Sequence, residues 1–156
     1  MLLYMSMKKA IKALLLLLWM SLIFFLSAQV ANESSETTNI VIEIIYKLYK
    51  TLFANSNMDI ATFSNVVFIP VRKLAHFSEF AILGILFYIN IKEYTNNKVL
   101  LLSVLLSSLY AVSDEIHQLF VPGRACAFID MLIDSSGAFI GIVLIHLVTN
   151  RCLRKD

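Results

Sequence analysis

The side chains able to do chemistry in this chain fall into three short runs. The first is Val71-Arg72-Lys73-Leu74-Ala75-His76-Phe77-Ser78-Glu79-Phe80, the second Ser113-Asp114-Glu115-Ile116-His117-Gln118, and the third carries Asp130 and Asp134. Arg72, His76 and Glu79 are spaced i, i+4, i+7, which puts them on one face of a helix. Asp114, His117 and Gln118 share a face in the same way, with Glu115 turned off it, and Asp130 and Asp134 lie one turn apart. Arg124 follows a Pro122-Gly123 turn. His76 or His117 can serve as general acid or base, with Glu79 or Asp114 orienting it. Arg72 and Arg124, helped by Lys73, can hold an anion such as a phosphate, and Glu115, Gln118, Asp130 and Asp134 join them as ligand-binding candidates. His76, Glu79, Asp114, His117, Asp130 and Asp134 include metal-ligand types. Their spacing is not HExxH or any other standard motif, so no metal or other cofactor is expected. The plainer alternatives are that Lys73, Glu115 and Arg124 anchor helix ends to headgroups, or that Arg72 and Arg124 neutralise Asp114, Asp130 and Asp134 to fix helix packing.

The elements that must position these residues are membrane helices. The chain has 156 residues, 59% hydrophobic and 15% charged, against about 25% charged in a soluble domain. A helix needs about 20 apolar residues to cross the hydrocarbon core. Four stretches qualify, at about 11–30, 71–91, 98–118 and 129–148, so the expectation is one all-α, four-helix integral membrane domain over residues 1–156. The first stretch, with Trp19, Phe24 and Phe25, is long and bulky, and SAQVA is not a clean A-x-A site. It is therefore read as a retained anchor and not a cleaved signal peptide. Pro70 precedes the second stretch, as suits a first helical turn. Between them, residues 32–70 form a loop. ANESSETTN is read as irregular and 40–53 as an amphipathic helix, with Glu43, Lys47 and Lys50 on one stripe. That helix either lies on the membrane surface or covers the bundle.

Charge sets the orientation. Lys8, Lys9, Lys12, Lys92, Lys98, Arg151, Arg154 and Lys155 fall on one side of a four-span chain, which places both termini in the cytoplasm. Arg72, Lys73 and Arg124 remain on the other side. The second helix then starts outside, the third ends outside and the fourth starts outside, so all three polar runs meet at one membrane level. At about 1.5 Å per residue, Glu79 sits about 10 Å below Arg72. A charge at the bilayer centre costs about 2.5–3.5 kcal/mol on the insertion scale, so Glu79 should face protein or water. Gly137 and Gly141 continue the Asp130–Asp134 stripe and allow close helix approach. The inner halves of helices three and four carry no charge relay, which argues against transport, and His146 lies away from the site. The net charge of +2 and the lack of a basic aromatic face exclude nucleic acid as a partner. Cys126 and Cys152 fall at opposite ends of the last helix and cannot bridge.

Taken together, RKLAHFSEF with Gly84, SDEIHQLFVPGR, and Asp130 through Gly137 and Gly141 resemble the VanZ-like family of bacterial membrane proteins. The Ser27-Ala28-Gln29 end of the first helix also fits. The resemblance covers roughly residues 11–148, with little match over 32–65. One departure is Asp134, where Asn is expected in many relatives; an Asp there either adds a charge or carries a proton. The resemblance implies a cell-envelope protein of the bacterial cytoplasmic membrane that lowers susceptibility to teicoplanin-type lipoglycopeptides. The residues leave open a membrane enzyme acting on a lipid-linked or cell-wall substrate. The partners expected are membrane lipid and an anionic or lipid-linked headgroup.

Overall fold

Helix α1, Leu2–Ser27, is carried by an unbroken run of leucine and other apolar residues. The computed structural model describes residues 2–54 and 56–152, with side chains from 6 to 54 and 56 to 151. Arg154, Lys155 and the Cys152 thiol therefore lie outside the described residues. Four further helices follow: α2, Ala31–Leu52; α3, Ile60–Lys92; α4, Val99–Gln118; and α5, Phe128–Cys152. Helices α1, α3, α4 and α5 are long and apolar enough to cross a membrane. Leu14, Leu17 and Leu18 on α1, Leu101 and Leu109 on α4, and Leu144 and Val148 on α5 are all exposed. Such a band, ruinous in water, is the surface that acyl chains solvate.

Two expectations are corrected. ANESSETTN is not a loop: its residues form the first turns of α2, which runs on through the amphipathic stretch. Pro70 does not open a helix. It sits inside α3, which starts ten residues earlier. The start is set by Asp59, whose carboxylate accepts a hydrogen bond from the Thr62 amide at 3.2 Å, an N-cap that satisfies one of the orphan donors of the first turn. The same bond holds the Asp59 carboxyl below its usual range. A proline inside a helix removes one bond to the residue four back, here the carbonyl of exposed Val66. At about 50 Å, α3 outruns a hydrocarbon core of about 30 Å.

The first turns of α3 pair with α2 as a helical hairpin. Tyr46 and Tyr49 pack on Phe63, Tyr46 Oη donates to the Met58 carbonyl at 2.9 Å, and Lys50 Nζ donates to the Ser56 carbonyl at 2.7 Å. Thr38 and Ile42 are the residues α2 buries, while Ile40, Ile44 and Leu48 stay exposed. α2 thus covers the bundle with one face and leaves an apolar face outward.

The core lies between α1, α3, α4 and α5 and is built from Ile23, Phe80, Leu83, Phe87, Ala111 and Ala138. The most extensive contact is α3 on α5. A side chain on Gly137 or Gly141 would overlap the Phe77 or Ala81 carbonyl oxygen of α3, so backbone meets backbone there. Ser103 and Ser107 on the buried face of α4 donate to carbonyls one turn back, at 2.6 and 2.7 Å, and so present small surfaces with no unsatisfied hydroxyl. Trp19 Nε1 donates to the Glu79 carbonyl at 3.0 Å and Tyr110 Oη to the Met20 carbonyl at 2.6 Å, which lock α1 to its neighbours.

The two ends of the bundle differ. At one, Lys12 pairs with Glu93, whose carboxyl is held below its usual range by that lysine, and Asn90 Nδ2 donates to the Lys12 carbonyl at 3.1 Å. Lys92 and Lys98 bound the same loop. His146 sits on this side too, with Nδ1 2.9 Å from Tyr88 Oη. At the other end, the α1–α2 junction meets the α4–α5 turn. The Ala31 amide donates to the Pro122 carbonyl at 3.4 Å, and Gly123, at φ +76°, takes the left-handed conformation the turn requires.

Candidate functional site

The polar runs of α3, α4 and α5 converge at this second end around two adjoining cavities. The first, about 350 Å³, is walled by Arg72, Lys73, His76, Glu115, Gln118, Arg124, Asp130 and Asp134, with Phe68, Ile69 and Ile133 supplying apolar lining. The second, about 220 Å³, holds Glu79 and Asp114 together with Ser27, Thr37 and Thr38. Arg72, His76 and Arg124 line both.

On α3 the i, i+4, i+7 spacing works as read: Arg72 and His76 bridge the cavities and Glu79 closes the second. Lys73 lines the first cavity with its Nζ engaged: it donates to Asp130 Oδ1 at 2.8 Å, and both side chains are about 40% exposed. On α4 the face differs from expectation. Successive helical residues are rotated by about 100°, so Gln118 lies between Asp114 and Glu115, while His117 falls on the far side of Asp114. The site face is centred on Gln118. Glu115 is buried there and Oε2 accepts from the Ala127 amide at 3.0 Å, which fixes the approach to α5. His117 lines neither cavity; its ring stacks on Phe24 of α1 with centroids 4.4 Å apart.

Arg124 ties the turn to the site. Its Nε donates to the Gln29 carbonyl at 3.2 Å and its Nη1 to Gln118 Oε1 at 3.3 Å. Gln118 Nε2 in turn donates to Asp114 Oδ2 at 3.1 Å. Burial, then the nearby charge of Arg72, lowers the Arg124 pKa from its ordinary value. Asp134 is fully buried and neither carboxylate oxygen has a hydrogen-bond partner among the described residues. Its nearest cationic candidate is His76, Nδ1 to Oδ1 at 4.0 Å.

Sequence reasoning missed Ser34, Thr37 and Thr38 of α2, which wall the second cavity. Their stretch carries no apolar period to mark it as helix, so nothing local placed it against α3. Ser27 was visible only through the Ser27-Ala28-Gln29 match.

Fold and site define a multi-pass helical membrane protein with a polar pocket at one end of its bundle. The family model described as VanZ/LLP1 matches residues 12–149. The chain belongs to that VanZ-like family. Neither a curated protein nor a solved structure matches it.

Proposed function

We propose that the protein binds the anionic headgroup of a membrane lipid or lipid-linked cell-wall precursor in this pocket, and that the pocket opens at the outer face of the bacterial cytoplasmic membrane. The supporting observation is that Arg72 and Arg124 both line the two adjoining cavities. Two guanidinium forks suit the oxygens of a phosphate, and Phe68, Ile69 and Ile133 suit the apolar part of an amphiphile. The outward direction rests on Lys9, Lys12, Lys92 and Lys98 at the opposite end, the side that positive charge marks as cytoplasmic. Both termini are then cytoplasmic.

The test is lipid retention. Full-length protein purified in mild detergent should carry a phosphate- or diphosphate-bearing lipid, identified by mass spectrometry. Arg72→Ala with Arg124→Ala should lower its occupancy by about tenfold or more, the loss of charge-assisted bonds worth about 1.5–3 kcal/mol each. Equal retention by the double variant contradicts the reading.

Lowered susceptibility to teicoplanin-type lipoglycopeptides is the cellular effect we attach to the same site. Deletion of the gene should lower the teicoplanin concentration that stops growth, and Arg124→Ala should reproduce the fall; an unchanged inhibitory concentration counts against it. A second reading, an enzyme acting on the bound headgroup, is favoured by the pairing of His76 with Asp134, an imidazole and a carboxylate set beside the two arginines.

A further inference from the structure

We propose that His76, Asp114 and Asp134 together bind one divalent transition-metal cation at the junction of the two cavities. One ligand atom from each of the three residues lies within 4.8 Å of the others. A point between three such atoms is at most about 2.8 Å from each, and metal–ligand distances for imidazole and carboxylate are about 2.0–2.2 Å. Side-chain shifts of under about 1 Å therefore close the site.

The proximity alone would be a cluster of acids. What makes it a site is Asp134, which is fully buried, lines the first cavity and has both carboxylate oxygens without a hydrogen-bond partner among the described residues. A buried carboxylate left in this state is costly, and a cation between it, Asp114 and His76 relieves the cost directly. The surrounding charges agree. The two cavities are lined by five carboxylates, those of Glu79, Asp114, Glu115, Asp130 and Asp134, and by three cations, Arg72, Lys73 and Arg124. Carboxylates thus outnumber basic side chains around the junction.

Supporting contacts also fit. Asp114 is oriented by Gln118, which is itself held by Arg124, the kind of outer support that ligating carboxylates carry. One nitrogen and two carboxylate oxygens suit zinc, manganese or iron(II) better than magnesium or calcium, which take oxygen alone. The three residues come from three different helices, so no motif in the chain announces them. Because His76 lines both cavities, the remaining coordination positions face space that water or a ligand oxygen can fill. A cation there takes His76 out of proton transfer and places a Lewis acid at cavities that Arg72 and Arg124 also line.

The inference goes beyond headgroup binding and does not rest on it: lipid retention can fail while metal retention stands, and the reverse. Full-length protein in detergent, stripped with a chelator, is equilibrated with zinc or manganese chloride, desalted and measured by elemental analysis. The expected result is about one equivalent of at least one of these metals. Asp134→Asn, which keeps the shape of the side chain, and His76→Ala should each lower retention by about tenfold or more. Glu43→Gln, at an exposed carboxylate of α2 that lines neither cavity, should keep it. Cobalt(II) loading of the unaltered protein gives a reading that needs no variant: visible absorption bands of protein-bound cobalt are expected. No retained metal with a spectrum of free aqueous cobalt, or full retention by both Asp134→Asn and His76→Ala, overturns the proposal.

Discussion

Two histidines of similar promise in the sequence have different surroundings. His76 stands between two cavities and beside a buried carboxylate. His117 stacks on Phe24 and reaches neither cavity. The distinction was not legible along the chain, because the face shared by Asp114, His117 and Gln118 is wide enough to meet two different neighbours. Only the position of α1 decides which edge of that face is site and which is packing. If the protein turns over a lipid-linked substrate, His76→Ala should remove the activity. His117→Ala should leave most of it, since His117 lines neither cavity and His76, whether it moves a proton or holds a cation, lines both. Radiolabelled precursor and purified protein give the comparison; equal losses for the two variants would contradict the assignment. The Lys73–Asp130 pair is a different case. Both partners are about 40% exposed, so its worth to stability is about 0–1 kcal/mol.

Among the elements, the periodic ones were readable and the irregular ones were not. The third and fourth membrane stretches coincide with α4 and α5 because twenty or more apolar residues in lipid have no other way to satisfy their backbone than a helix. The start of α3 was misplaced because Pro70 looks like an N-terminal signal, while the true signal, Asp59 three residues before Thr62, is a single side chain in a polar stretch. The opening of α2 was missed for a related reason: its serines, threonines and asparagine have low helix propensity, and helix forms there because the segment docks on α3 and on the Pro122–Gly123 turn. The Gly137–Gly141 spacing was legible, and its role is close approach to α3. Gly141→Ala puts a methyl group into the Ala81 carbonyl, so the thermal midpoint in detergent should fall, with a cost of about 1–3 kcal/mol for overpacking. Ile140→Ala, at a residue 45% exposed on the same helix, should shift it far less. Equal midpoints for the two would show that α3 and α5 do not meet backbone to backbone.

For the molecule as a whole, the account depends on three polar runs meeting at one end of the bundle, with Lys73 and Asp130 in contact across 57 residues of chain. Sequence arithmetic reached this by counting spans and matching helix ends, and the Lys73–Asp130 pair and the shared lining of the two cavities show the meeting in detail. The orientation we propose for the fold in the membrane rests on charge, with lysines at the end opposite the pocket. Both parts are tested by one cross-linking measurement in intact cells. In a Cys126→Ser, Cys152→Ser background, Lys73→Cys and Asp130→Cys replace two side chains that touch at 2.8 Å. A short bifunctional thiol reagent that cannot cross the membrane is added outside. The account predicts an intramolecular cross-link between α3 and α5 without permeabilisation. A cross-link that appears only after the membrane is opened would reverse the orientation, and none under either condition would mean that these helices do not bring their polar ends together.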